Sequence, residues 1–109
     1  MHLLLIAAAL SNQLWFETQQ QDDALVVTPM ATLTDDCSCQ MTINVIHQGQ
    51  SGQSNSSQSG NVVIKGQHPQ PLASMMLDIP HGEWTQITVT LSDNKGILLQ
   101  QSWSSLAKV

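Results

Sequence analysis

The only two cysteines of this chain stand one residue apart, in Thr34-Asp35-Asp36-Cys37-Ser38-Cys39-Gln40-Met41. A bond between them closes almost no loop, so it removes little entropy from the unfolded chain. In an extended strand, residues i and i+2 point to one face. Their α-carbons then lie about 6.6 Å apart, at the upper limit of disulfide geometry. A Cys37–Cys39 bond therefore requires a locally bent backbone and is expected to reduce easily. A fast attacking thiolate needs a helix N-terminus or nearby cations. Here Asp35 and Asp36 stand beside the pair, and no Lys, Arg or His lies within six residues.

Three uses of the pair stay open. The cysteines can be small sheltered side chains or an incidental disulfide. They can be a redox-active dithiol. They can contribute two thiolates to a metal site, for which His47, at the same parity, is the one candidate near in sequence. Two thiolates and a distant imidazole fall short of a closed tetrahedral set, so no metal is expected. His2, His68 and His81 fall in the first residues or in turns and read as solvated. No G-x-S-x-G elbow, Gly-rich phosphate loop or H-E-x-x-H motif occurs, and the sequence calls for no cofactor.

The elements that must position the pair are strands. Leu25, Val27, Pro29, Ala31 and Leu33 share one parity, as do Cys37, Cys39, Met41, Ile43 and Val45, and Ile87, Val89 and Leu91. Leu14 and Phe16, Val62 and Ile64, Met75, Leu77 and Ile79, and Ile97 and Leu99 alternate likewise. Period two over about seven runs marks strands with one face on a core. Turn signals separate the runs at Gln20 to Asp23, Gln67 to Pro71, Pro80-His81-Gly82 and Asp93-Asn94-Lys95-Gly96. The reading is an all-β, immunoglobulin-like antiparallel sandwich. Pro29 predicts an edge strand or a bulge. Trp103 is expected to cap the core beside Ile97 and Leu99, with Trp15 and Trp84 on the opposite face of their strands. Residues 48–61, QGQSGQSNSSQSGN, hold no apolar side chain and predict a flexible hairpin connection. The alternative is a tract resembling amyloid-forming repeats, a mimic of a partner.

Composition bounds the partners. Of 109 residues, 14 are Gln, 12 Ser, 8 Thr and 5 Asn, whereas charged residues make up 10%. Arg is absent and the net charge is −5, which excludes a phosphate-neutralising surface and hence nucleic acid. The run from Met1 to Leu10 is apolar and ends in small residues, as in the h-region and A-x-A site of a secretory signal. A first strand of the mature protein is the alternative. At ten residues it is too short to cross a bilayer as a helix, and no later segment is long enough, so no membrane insertion is expected.

Leu10-Ser11-x-Gln13, Phe16, Thr18-Gln19-Gln20 and Thr32-Leu33-Thr34-x-x-Cys37-x-Cys39 occur in order. Gly49-x-Ser51-Gly52-Gln53-Ser54, Thr88-Val89-Thr90-x-Ser92-Asp93 and Gln100-Gln101-x-Trp103 follow. Together they resemble the CsgC (AgfC) family of curli assembly proteins across nearly the whole chain. The resemblance implies a periplasmic protein that loses a leader of residues 1–9, with cleavage near Ala8 or Ala9, and keeps one domain of residues 10–109. It implies a seven-stranded immunoglobulin-like fold and an amyloid-inhibiting, chaperone-like role that holds back the curlin subunit in biofilm-forming curli assembly. The partners it implies are that subunit and the curli secretion machinery. The C-x-C pair suggests, as the alternative, kinship with periplasmic thiol–disulfide oxidoreductases. In that family a basic residue follows the second cysteine, and Gln40 stands here instead.

Overall fold

The computed structural model describes residues 11–105, all of whose regular structure is β. The apolar first residues and their expected cleavage near Ala8 or Ala9 lie outside the described residues. The strands are β1 (Gln13–Gln21), β2 (Ala24–Thr32), β3 (Cys37–Gly49), β4 (Gly52–Ile64), β5 (Gln70–Pro71), β6 (Met75–Leu77), β7 (Trp84–Ser92) and β8 (Leu98–Ser104). One sheet has the order β1-β2-β5 with β6 also on β2, and the other runs β4-β3-β7-β8. Every pairing is antiparallel.

Both sheets turn their apolar parity onto one cluster. Leu14, Val27, Ala31 and Leu33 come from the first sheet and its exit. Cys37, Cys39, Ile43, Ile64, Ile87, Val89 and Leu91 come from the second. Six of these are fully buried aliphatic Leu, Ile or Val residues at 0% exposure, each stabilising the fold by about 1.5–3 kcal/mol relative to exposure. Trp103, Ile97 and Leu99 pack against the cluster, as their shared parity predicts.

Two expectations are corrected. Residues 52–61 are not a flexible connection: they form most of β4, in unbroken register with β3 from Gly49↔Gly52 to Cys37↔Ile64. Only Gln50 and Ser51 remain as a turn. Polar side chains cannot announce a strand by burial, but β3 supplies a complete ladder of backbone partners. Pro29, in turn, lies neither at an edge nor in a bulge. It faces Phe16 of β1 in regular register on the second strand of its sheet. Its carbonyl accepts from Leu72 N–H at 2.8 Å, which places its missing N–H on the side where the partner is interrupted between β5 and β6. The gap absorbs the absent donor.

Turns and clasps hold the register. Asp22 and Asn94 adopt left-handed φ of 55° and 65° at the β1–β2 and β7–β8 turns, conformations that Asp and Asn tolerate. Asp93 Oδ1 accepts from Lys95 N–H (2.7 Å) and Ile97 N–H (2.9 Å). These bonds, from Lys95 first, hold its carboxyl below the ordinary aspartate value of 3.8. A depressed carboxylate stabilises the fold above its unfolded pKa and loses that contribution as pH falls through the folded one. The amide shifts of Lys95 and Ile97 should therefore titrate together with a midpoint below 3.8, and a midpoint at or above it would show the carboxylate is not the acceptor.

Gly66 marks the tightest approach. A Cβ there would lie 2.7 Å from the carbonyl carbon and 2.8 Å from the α-carbon of Asp35. Neither atom can move without shifting backbone, so Gly66→Ala should cost about 1–3 kcal/mol, read as a lower denaturant midpoint at unchanged slope.

Candidate functional site

The cysteine pair opens β3 at one end of the second sheet. Cys37 and Cys39 are joined in a disulfide with a Cα–Cα separation of 5.5 Å. That is shorter than the about 6.6 Å of an ideal strand, so the backbone contracts locally as the spacing requires. Cys37 exposes 6% and Cys39 2% of their surface, and both sit in the core cluster. Opposite them on β4 are Ile64 and Val62.

The strand entry is clasped by three hydrogen bonds from two segments. Thr34 N–H donates to Asn12 Oδ1 (2.9 Å), Gly66 N–H to Asp36 Oδ1 (2.8 Å), and Gln67 N–H to Leu33 C=O (2.7 Å). A cleft of ≈ 450 Å³ opens beside the pair, lined by Asp36, Cys37, Ser38, Val63, Asp93 and Lys95. The fold brings one cation, the Lys95 ammonium, which no sequence neighbour supplies. The carboxylates of Asp36 and Asp93 outnumber it, so the rim holds no surplus of positive charge to draw out a thiolate. The buried sulfurs and acidic rim suit an apolar plug under the strand entry rather than an exchange centre.

His47 is not brought to the cysteines. It lies eight residues beyond Cys39 on the same strand, about 26 Å away. Its Nε2 pairs with Glu83 Oε1 at 2.8 Å and its Nδ1 with Thr85 Oγ1 at 2.9 Å. Thr85 is 2% exposed, so the trio fastens the β6–β7 connection to β3 and offers no nucleophile. Among the described residues, no group of three His, Cys, Asp or Glu could hold a metal ion. His68 and His81 are exposed.

Sequence reasoning missed a second feature, the free edge of β4. Gln70 Oε1 accepts from Lys65 N–H (3.2 Å), and its Nε2 donates to Val63 C=O (3.0 Å). The side chain thus occupies the outer edge at residues 63 and 65, which fixes the phase: odd-numbered β4 residues direct N–H and C=O away from β3. The stretch from Gln53 to Asn61 is exposed at every residue. The other edges are guarded. β5 and β6 have two and three residues, and Pro71 ends β5. β1 lies against β8. Short edge strands, proline and mutual cover are standard protections. Among the described residues, β4 has none of them along residues 53–61.

The outer face beside this edge is uncharged. Across the strands it reads Ser59-Thr42-Thr90-Gln100, then Ser57-Asn44-Thr88-Ser102, then Asn55-Ile46-Gln86-Ser104. Thr42 Oγ1 meets Ser59 Oγ at 3.0 Å, Asn44 Nδ2 donates to Asn55 Oδ1 at 2.9 Å, and Thr88 Oγ1 meets Ser102 Oγ at 2.8 Å. The eight carboxylates of the chain all lie elsewhere, in the first sheet, its turns and the loops.

Because the disulfide closes a loop of separation 2, its reduction should lower stability by only on the order of 1 kcal/mol. Paired denaturant curves with and without reductant measure this, and a several-fold larger loss would make the bond a true staple.

The family described as thin aggregative fimbriae synthesis protein, Tafi-CsgC, matches residues 5–103. The Curli assembly protein CsgC of Salmonella typhimurium is 37% identical over 108 residues, covering 99% of this chain and 100% of that one. The Escherichia coli protein of the same name is 37% identical over 103 residues, 94% of each chain. The solved structure of the E. coli curli protein CsgC, in its SeCys form, superposes with a TM-score of 0.77 at 34% identity, covering 85% of this chain and 98% of that one. The solution structure of R. palustris CsgH, at 15% identity and a TM-score of 0.67, shares the fold. With its C-x-C at the mouth of β3 and its two four-stranded sheets, this chain belongs to the CsgC family.

Proposed function

We propose that this chain is a curli assembly protein that acts in the periplasm and holds the curlin subunit back from premature amyloid polymerisation. Its fold is read as an immunoglobulin-like β-sandwich spanning residues 10–109, exported after loss of residues 1–9. Membership of the CsgC family, whose relatives carry the name of curli assembly, supports the setting. The observation that carries the mechanism is the unguarded β4 edge, exposed from Gln53 to Asn61 beside an uncharged face.

Amyloid growth adds strands by backbone pairing, so a nucleus needs open edges. An edge that accepts an extended subunit as an added strand removes it from nucleation. Nuclei are rare, so few copies suffice and no stable stoichiometric complex is required. No thiol turnover enters: the sulfurs are buried, and the pair lies at the far end of the β3–β4 ladder from the turn.

Curlin polymerisation followed by amyloid-dye fluorescence tests this. A small molar fraction of the chain should lengthen the lag. Ser57→Pro removes an outward donor while leaving the β3 ladder paired, and should abolish most of the delay in a protein that keeps its β circular dichroism. The Cys37→Ser/Cys39→Ser protein should delay as the wild type does. Since the edge bears no charge, raising salt from about 0.05 to 0.5 M should change the delay little. Lag times unaltered at every ratio would end the proposal.

A further inference from the structure

The β4 edge fits a second copy of itself. Its free backbone groups belong to Gln53, Asn55, Ser57, Ser59 and Asn61, bounded at one end by the Gln50-Ser51 turn and at the other by the Gln70 amide on Val63 and Lys65. Two antiparallel strands face each other with residues of like phase, so a strand paired with its own copy must be centred on a residue. Centring on Ser57 is the one register that uses all five free residues. Gln53 then faces Asn61, Asn55 faces Ser59, and Ser57 faces Ser57 of the second copy. Between them Ser54 faces Gly60 and Ser56 faces Gln58.

Nothing in that register opposes it. No charged residue occurs from Gly49 to Ile64, so the net charge of −5 is not concentrated at the seam. The β3–β4 ladder runs thirteen pairs without a bulge that would twist the edge away. The residues of the edge are exposed on both faces, so no strand of the first sheet obstructs a neighbour. Hydroxyls and amides sit opposite hydroxyls, amides or glycine, which are cross-strand pairs of compatible size and polarity. A twofold pairing of identical edges is also self-closing, which ends growth at two copies.

We propose that two copies of this chain pair antiparallel through β4 about Ser57, joining their second sheets into one eight-stranded sheet. The pairing stands on the edge alone. It bears on the proposed function because both use the same backbone groups, and in that reading the paired form holds the capture edge in reserve.

Sedimentation of the full-length chain over a wide concentration range, without curlin, is the test. The weight-average mass should rise with concentration from 11.9 kDa toward twice that value. Ser57→Pro should weaken association at least about tenfold, since it removes a donor at the centre of the seam. Association through the apolar first residues would survive that substitution and would count against the proposal. A short bis-maleimide should link Ser57→Cys copies to each other but not Ser54→Cys copies, whose cysteines would lie about 20 Å apart in this register. A chain that stays monomeric throughout, or that links equally at both positions, overturns the pairing. A monomeric chain that still delays curlin would leave the capture reading standing, and a pairing chain that never delays it would do the reverse.

Discussion

The β3–β4 ladder is the constraint on which the rest of the molecule depends. Its thirteen pairs place β3 between β4 and β7, and so decide which face of the second sheet meets the core. A slip of one residue would turn Cys37, Cys39 and Ile43 to solvent and bring Ser38, Gln40 and Thr42 inward. Apolar contacts pin only one end of the ladder, where Cys37 and Cys39 face Ile64 and Val62. The other end is held by a two-residue turn, while His47 fastens β3 to β7 through Glu83 and Thr85. Between these anchors the register rests on backbone hydrogen bonds and on side-chain pairs such as Asn44 with Asn55.

The cysteines are best understood from that position. They begin the strand whose register matters most, beneath the crossing of residues 34–36 by residues 65–67, where Gly66 leaves no room for a side chain. A disulfide between neighbours on one face fills the core corner with two sulfurs and shortens the strand entry locally. Reactivity would call for exposure and a surplus of positive charge, and the site offers buried sulfurs with two carboxylates, Asp36 and Asp93, against the one ammonium of Lys95. The C-x-C motif therefore reads more naturally as part of the packing than as a reagent.

Much of this was legible in the sequence wherever burial wrote a pattern. The alternations at 25–33, 37–45 and 87–91 gave strands and the face each presents, because side chains on a half-buried strand must alternate. The β4 strand left no such trace. Its residues 52–61 bury nothing, so their strand state comes from β3 and not from their own side chains. The tract's likeness to amyloid repeats was visible, but an edge is a property of strand order, which no local window contains. The place of Pro29 is hidden from the sequence for a related reason: its tolerance depends on a gap in a neighbouring strand some forty residues away. The thiol pair was legible as residues, and its burial followed from parity.

An open edge would ordinarily be a hazard, and its composition explains how this one is tolerated. Each backbone hydrogen bond contributes about 0.5–1.5 kcal/mol net, so the ten or so that the edge could offer amount to about 5–15 kcal/mol. Immobilising a partner costs about 4–15 kcal/mol. The two ranges overlap, and with Ser, Asn, Gln and Gly along the strand there is almost no apolar burial to tip the balance. Any pairing at this edge would therefore be weak and reversible. An apolar edge of the same length would bind more tightly but would itself seed aggregation. A charged edge would be safer yet would repel strands of like sign. A neutral polar edge lies between these extremes: open enough to receive an extended strand, and too weakly held to become the first layer of a fibre.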